Sequence, residues 1–215
     1  MQITHFGHSA ILIEVDGVRL LLDPGNFSDA WHGVTDLAAV LVTHQHGDHV
    51  HPEKLSALLA DQPDCQVYVE PEVLDKVPLS ERAKGLPADA SISFGGIKVS
   101  AVGGRHAVIH RDIPIVGNVG LVIEAEGHPT VFHPGDALDA IPAGIDVCMI
   151  PALGPWAALK ETVEFTRGVA APVGFLIHDA LLSERGVSVF TRLLTNLTPT
   201  TLVDIRDTRP WTPQG

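Results

Sequence analysis

Cysteine is nearly absent from this chain of 215 residues, which has only Cys65 and Cys148. Two thiols cannot build a disulfide framework or a thiolate metal cage, and their scarcity suits a reducing compartment. Positive charge is also sparse. Fourteen Lys and Arg stand against 26 Asp and Glu, leaving a formal net charge of −12. A chain this acidic excludes an extended polyanion such as DNA or RNA as its main partner, while leaving small anions open. No apolar run approaches the roughly 20 residues of a membrane helix, so no membrane span is expected. Met1 to His5 shows no basic stretch leading into an apolar one, so no signal peptide is expected and the cytoplasm is the expected location. The glycine-rich stretches lack a following Gly-Lys-Ser/Thr and are not phosphate loops. Hydrophobic residues reach 45%, enough for a sizeable core, and the length suits one α/β domain over 1–215.

Histidine, in contrast, is plentiful, with 12 in all. Their setting follows from the strand pattern. Ala10 to Val15 and Arg19 to Leu22 are β-type runs joined at Asp16-Gly17, a hairpin signal. Ala38 to Thr43 reads as a strand buried on both faces, Pro52 to Ala60 as a helix with proline in its first turn, and Val67 to Glu70 as a further strand. Pro71 to Leu86 reads as short helix and loop, and Ser91 to Phe94 with Ile97 to Val102 as a second hairpin.

The chain also repeats itself. Residues 11–25 align with 121–135 at an offset of 110 without a gap, with five of fifteen positions identical, and Gly7/Gly117 and Asp36/Asp146 share the offset. Each copy is followed by an apolar strand, a helix (158–169 in the second copy) and another strand (173–177), and a last helix (183–195) and strand (201–205) complete the second. Two similar halves, approximately 1–110 and 111–215, predict two sheets packed face to face with helices outside: an α/β, four-layer αββα sandwich. Such a duplication gathers equivalent strand ends at one edge, where loops on a rigid frame form pockets.

At that edge stands Thr43-His44-Gln45-His46-Gly47-Asp48-His49. Imidazole with carboxylate suits borderline divalent metals. Alternate residues of a tight turn point the same way, so His44 and His46 can hold one ion, and Asp48 and His49 can face a second. These four cannot complete two metal shells. Asp136, on a Pro-Gly turn after a strand, is the natural bridging carboxylate. His178 ends the apolar run 173–177, and His106 follows the 97–102 strand. His110, four residues on, is the alternative to His106. Asp23 and His133 occupy the same repeat position, and either can orient a ligand imidazole, the carboxylate being preferred. His8, in a Gly-His-Ser turn, is either a pocket residue that contacts substrate or protonates a leaving group, or a hairpin-entry residue. His5, His32 and His128 read as surface residues, Arg105 and Arg111 as solvated or phosphate-facing, and Trp156 as pocket wall or core cap.

The Thr43-to-His49 motif resembles the signature of the metallo-β-lactamase superfamily, and Asp23 before it and His106, Asp136 and His178 after it match that family's other motifs in order. Phe6-Gly7-His8-Ser9, Leu22-Asp23-Pro24 and Phe132-His133-Pro134-Gly135-Asp136 are similar to the L-ascorbate-6-phosphate lactonase branch. Ala137, where that branch usually has Thr, departs from it. The resemblance implies the αββα sandwich with its site between the halves, and a metal-dependent hydrolase. It places His44, His46 and His106 on one ion, Asp48, His49 and His178 on a second, and Asp136 between them. The expected cofactors are two divalent ions, zinc or manganese. The expected chemistry is water activation against a small anionic ester, lactone or phosphoester, with Asp48 and His8 as catalytic residues, and the branch points toward a homo-oligomer. The alternatives are a mononuclear iron enzyme of oxidative, persulfide type, or a metal-binding protein without turnover.

Overall fold

The computed structural model describes residues 1–214. The first sheet holds six strands in chain order: β1 (Gln2–His5), β2 (Ile11–Val15), β3 (Val18–Leu22), β4 (Ala39–Val42), β5 (Gln66–Val69) and β6 (Ala83–Gly85). The second holds seven: β7 (Ser91–Phe94), β8 (Ile97–Gly103), β9 (Val119–Ala125), β10 (Val131–His133), β11 (Val147–Pro151), β12 (Val173–Ile177) and β13 (Thr201–Leu202). Helices α1 (Pro52–Ala60) and α2 (Pro71–Lys76) cover the first sheet, and α3 (Leu159–Val169) and α4 (Glu184–Leu197) the second.

The core has three parts, one per interface between layers. Ile3, Ile13, Leu20 and Leu41 meet Val99, Leu121, Met149 and Phe175 between the sheets. Leu55, Leu58 and Val73 pack on the outer face of the first sheet, and Val163, Phe165, Val187 and Leu194 on that of the second. The strands alternate which partner they feed. Leu20 and Leu22 point to the other sheet, while Leu21 points to the helices. This is the four-layer αββα arrangement expected.

The duplication extends further than the aligned residues. β1 to β4 pair antiparallel, antiparallel and parallel, then continue parallel through β6; β8 to β13 repeat that series. β8 takes the place that β1 has in the first sheet. The hairpin β7–β8 therefore belongs to the second sheet, although it lies within the half assigned to 1–110, and the sheet boundary falls between Gly85 and Ser91. β1 and β6, four and three residues long, lie at the two edges of the first sheet and were not expected. The last strand is shorter than 201–205, although Ile205 beyond it still enters the core.

Helix starts follow local chemistry. Proline opens α1 and α2, Glu161 accepts from Ala158 N–H at the start of α3, and Ser183 accepts from Gly186 N–H at the start of α4. No helix among the described residues is long and apolar enough to cross a membrane.

Candidate metal centre

Every chemistry-bearing loop leaves the same edge of the two sheets. Asp23 follows β3, His44 to His49 follow β4, His106 follows β8, Asp136 follows β10 and His178 follows β12. His8 lies in the β1–β2 turn and reaches the second sheet, where its carbonyl accepts from His178 N–H (3.1 Å) and its own N–H donates to Asp179 (2.9 Å). His8, Asp23 and His178 all hold left-handed backbone (φ 56°, 44° and 60°), a conformation that non-glycine residues seldom adopt without compensation and that here coincides with the site.

Two groups of potential ligands result. His44, His46, His106 and Asp136 form the first, and His8, Asp48, His49 and His178 the second; within each group the ligand atoms lie within 4.8 Å of one another. Asp136 stands between them. Its Oδ2 faces His44 Nε2 (3.8 Å) and His106 Nε2 (3.3 Å), and its Oδ1 faces His49 Nε2 (3.0 Å) and His178 Nε2 (2.6 Å). All the residues singled out as ligands are thus brought together. His8 joins the second group, with Nε2 at 3.1 Å from Asp48 Oδ2. His110 lies apart, exposed and beside Asp112. Arg111 is likewise exposed beside Asp112.

Hydrogen bonds on the far side of four of these rings, those of His44, His49, His106 and His178, fix their tautomers. His106 Nδ1–H donates to the Ala107 carbonyl (2.6 Å), His178 Nδ1–H to the Leu153 carbonyl (3.0 Å) and His49 Nδ1–H to Asp23 Oδ2 (2.6 Å). Thr43 Oγ1 donates to Asp23 Oδ2 (2.7 Å) and accepts from His44 Nδ1–H (3.1 Å). The Nε2 lone pairs therefore all point inward. His49 Nε2 and His178 Nε2 lie 2.9 Å apart, and His44 Nε2 and His46 Nδ1 3.1 Å apart. His106 Nε2 and Asp136 Oδ1 are buried without a hydrogen-bond donor. Acceptors facing acceptors in a buried site call for cations. One proton relieves one such contact; two divalent ions, one per group, relieve them all. The residues fit the two-ion centre that the motif implies.

Electrostatics agree with that charge pattern. Burial holds His44 well below the usual imidazole range, as it does His46 less strongly, so both are neutral and free to ligate. Burial opposes a proton on His49 as well, but Asp136 and Asp23 on its two sides outweigh it and raise its pKa well above the usual value. Burial would push both site carboxylates up. The surrounding imidazoles overcome it, holding Asp136 well below the carboxylate range and Asp48, hydrogen-bonded to His8, at about 2.

Supporting residues complete the frame. Asp23 is fully buried and serves His49, Thr43 and, at 3.5 Å, His133. His133 accepts from Gly135 N–H through Nδ1, which leaves its Nε2–H for Ser9 O and Asp23. These two occupants of one repeat position thus meet across the interface between halves, and Asp23 is the one that touches a ligand.

Sequence reasoning left Trp156 undecided and overlooked Asn118. Trp156 Nε1–H donates to Asp136 Oδ2 at 2.7 Å, and Asn118 Oδ1 accepts from Asp136 N–H at 2.9 Å. Asn118 occupies the repeat position of His8, the one signal that points to it. His5 is a correction. It is fully buried rather than exposed, and its Nε2 binds the Leu176 carbonyl across the two sheets.

The sequence and fold have known counterparts. A family model described as the beta-lactamase superfamily domain matches residues 2–175. Protein Rv0786c of Mycobacterium tuberculosis (strain ATCC 25618 / H37Rv) is 38% identical over 201 residues, 93% of this chain and 94% of its own. A UPF0173 metal-dependent hydrolase of Chelativorans sp. (strain BNC1) is 28% identical over 151 residues, so that the match spans 63% of this chain and 63% of that relative. Among solved structures, Igni18, a metallo hydrolase of Ignicoccus hospitalis KIN4/I, superposes with a TM-score of 0.77 over all of this chain and 98% of its own, at 18% identity.

Proposed function

The chain belongs to the metallo-β-lactamase superfamily, and from that premise we propose that it is a hydrolase whose two-ion centre activates water against a small ester, lactone or phosphoester. The observation that carries this reading is Asp136, which turns one oxygen to each ligand group. Divalent ions, if held by the His44, His46, His106 and Asp136 group and the His8, Asp48, His49 and His178 group, would supply Lewis acidity and bring the pKa of water toward neutrality.

The chain's own residues then have distinct tasks. Asp136, buried and ionised, holds the two groups in register. Asp48 is ionised and, with its side chain 21% exposed, is the ligand-group carboxylate open to the mouth of the site. It is placed to accept the proton of attacking water and return it to the leaving group. His8 fixes Asp48 through the 3.1 Å contact and keeps that carboxylate from turning away. No serine or cysteine nucleophile is needed; both cysteines are buried and their thiol pKa values are pushed up, that of Cys65 to about 11.

The His/Asp donor set accepts zinc, manganese or iron, and we assign zinc or manganese. Two four-residue groups favour two ions over the mononuclear iron alternative. The test is a panel of lactones, carboxyl esters and phosphodiesters offered to chelator-stripped protein reloaded with zinc or with manganese. Saturable hydrolysis is expected in wild type, and its loss in His46→Ala together with part of the bound metal. No turnover of any panel member at full metal loading overturns the proposal.

A further inference from the structure

Resting on that hydrolytic reading, we propose that the substrate carries an apolar chain, lodged in the groove that opens beside His106. The groove encloses about 730 Å³, a volume suited to a small-molecule ligand. It borders the metal centre, because His106 and Trp156 are among its lining residues, one in a ligand group and the other a donor to Asp136. From there its walls are Val108, Ile115, Ile141 and Phe165.

Three of these walls are costly to leave in water. Val108 is 57% exposed, Ile115 42% and Ile141 45%. Single exposed aliphatics are ordinary, but three around one concavity that borders a reactive centre form a binding surface. The floor is shaped as well. Gly168 lines the groove within α3, where alanine is the far better helix former. A Cβ at Gly168 would lie 3.1 Å from Ile141 Cδ1, so glycine preserves the space in which Ile141 sits.

Charge selects against an anionic tail. Asp139, Glu161 and Glu164 ring the groove with Arg105 as the single cation. Glu164 is already paired with Arg167, and Glu161 with the backbone at the start of α3. The polar rim is thus acidic and partly committed, and the groove between is apolar. The expectation of a small anionic metabolite is restricted accordingly: negative charge belongs at the reacting group, near the ions, and the remainder of the substrate is an uncharged acyl or alkyl chain.

The test is a series of methyl esters from acetate to octanoate, with kcat/KM measured on zinc-loaded protein. Each methylene buried should raise kcat/KM by about two- to fourfold. Butanoate to octanoate should therefore gain at least tenfold. Ile141→Asp, which puts charge in the wall, and Gly168→Leu, which fills the floor, should flatten the series and leave methyl acetate unchanged. Equal turnover across the series in wild type, or a rise that survives both substitutions, overturns the groove assignment while the hydrolase stands. If none of these methyl esters is hydrolysed, the panel of lactones, carboxyl esters and phosphodiesters decides the hydrolytic reading, and calorimetric binding of octanamide against acetamide decides the groove separately. Saturable octanamide binding weakened in both variants supports it; absence of binding overturns it.

Discussion

At the residue scale the centre is defined by which nitrogen of each ring is free. Carbonyls of Ala107 and Leu153, the Thr43 hydroxyl and the Asp23 carboxylate occupy the outer nitrogens, so the inner ones converge as acceptors. His49 is the exception until an ion binds, because Asp136 and Asp23 on its two sides hold its pKa well above the usual value and favour a second proton on its inner nitrogen. That proton must leave when an ion arrives, so apparent affinity rises with pH until His49 is deprotonated. Zinc titrations near pH 7 in two buffers of different ionisation enthalpy should show proton release to the buffer; equal heats in both would contradict the assignment. Trp156→Phe keeps the ring shape but removes the donor to Asp136, and chelator competition should report roughly tenfold weaker metal binding. The six-residue His/Asp cluster was legible because its ligands are adjacent in the chain. Trp156 and Asn118 were not, since their partner Asp136 is 20 and 18 residues away and nothing local marks the contact. His5 was misread for a similar reason: its partner Leu176 is 171 residues distant.

At the scale of elements, strand ends set the ligands and two close approaches keep the loops in place. A Cβ on Gly25 would collide with the Asp48 backbone carbonyl, and one on Gly135, already at φ 62°, would stand 2.8 Å from Thr43 Oγ1. Gly25→Ala must therefore shift the metal-binding turn itself. It should cost at least about 2 kcal/mol, measured by urea unfolding in the presence of chelator so that metal loss is not counted twice. Long apolar runs such as 38–43 and the helix beginning at Pro52 were readable from period and capping. β1 and β6 were not, because strands of four and three residues carry too short an alternation, and neighbours rather than propensity decide them.

On the scale of the whole molecule, the repeat places one ligand-bearing edge on each sheet and the metal centre bridges them. His44, His46, Asp48 and His49 come from the first sheet's loops, and His106, Asp136 and His178 from the second's. Ions held there bind the folded form only, so stripping them should lower the melting temperature. At metal concentrations about 100 times Kd each site contributes about 2.7 kcal/mol. An unchanged melting curve after chelation would contradict that linkage. The most direct test of the account is bound zinc per chain at saturation, measured for wild type and for Asp136→Ala. Two ions are predicted in wild type and fewer than one in the variant, because Asp136 serves both groups. A single ion in wild type, or two ions retained without Asp136, would contradict it.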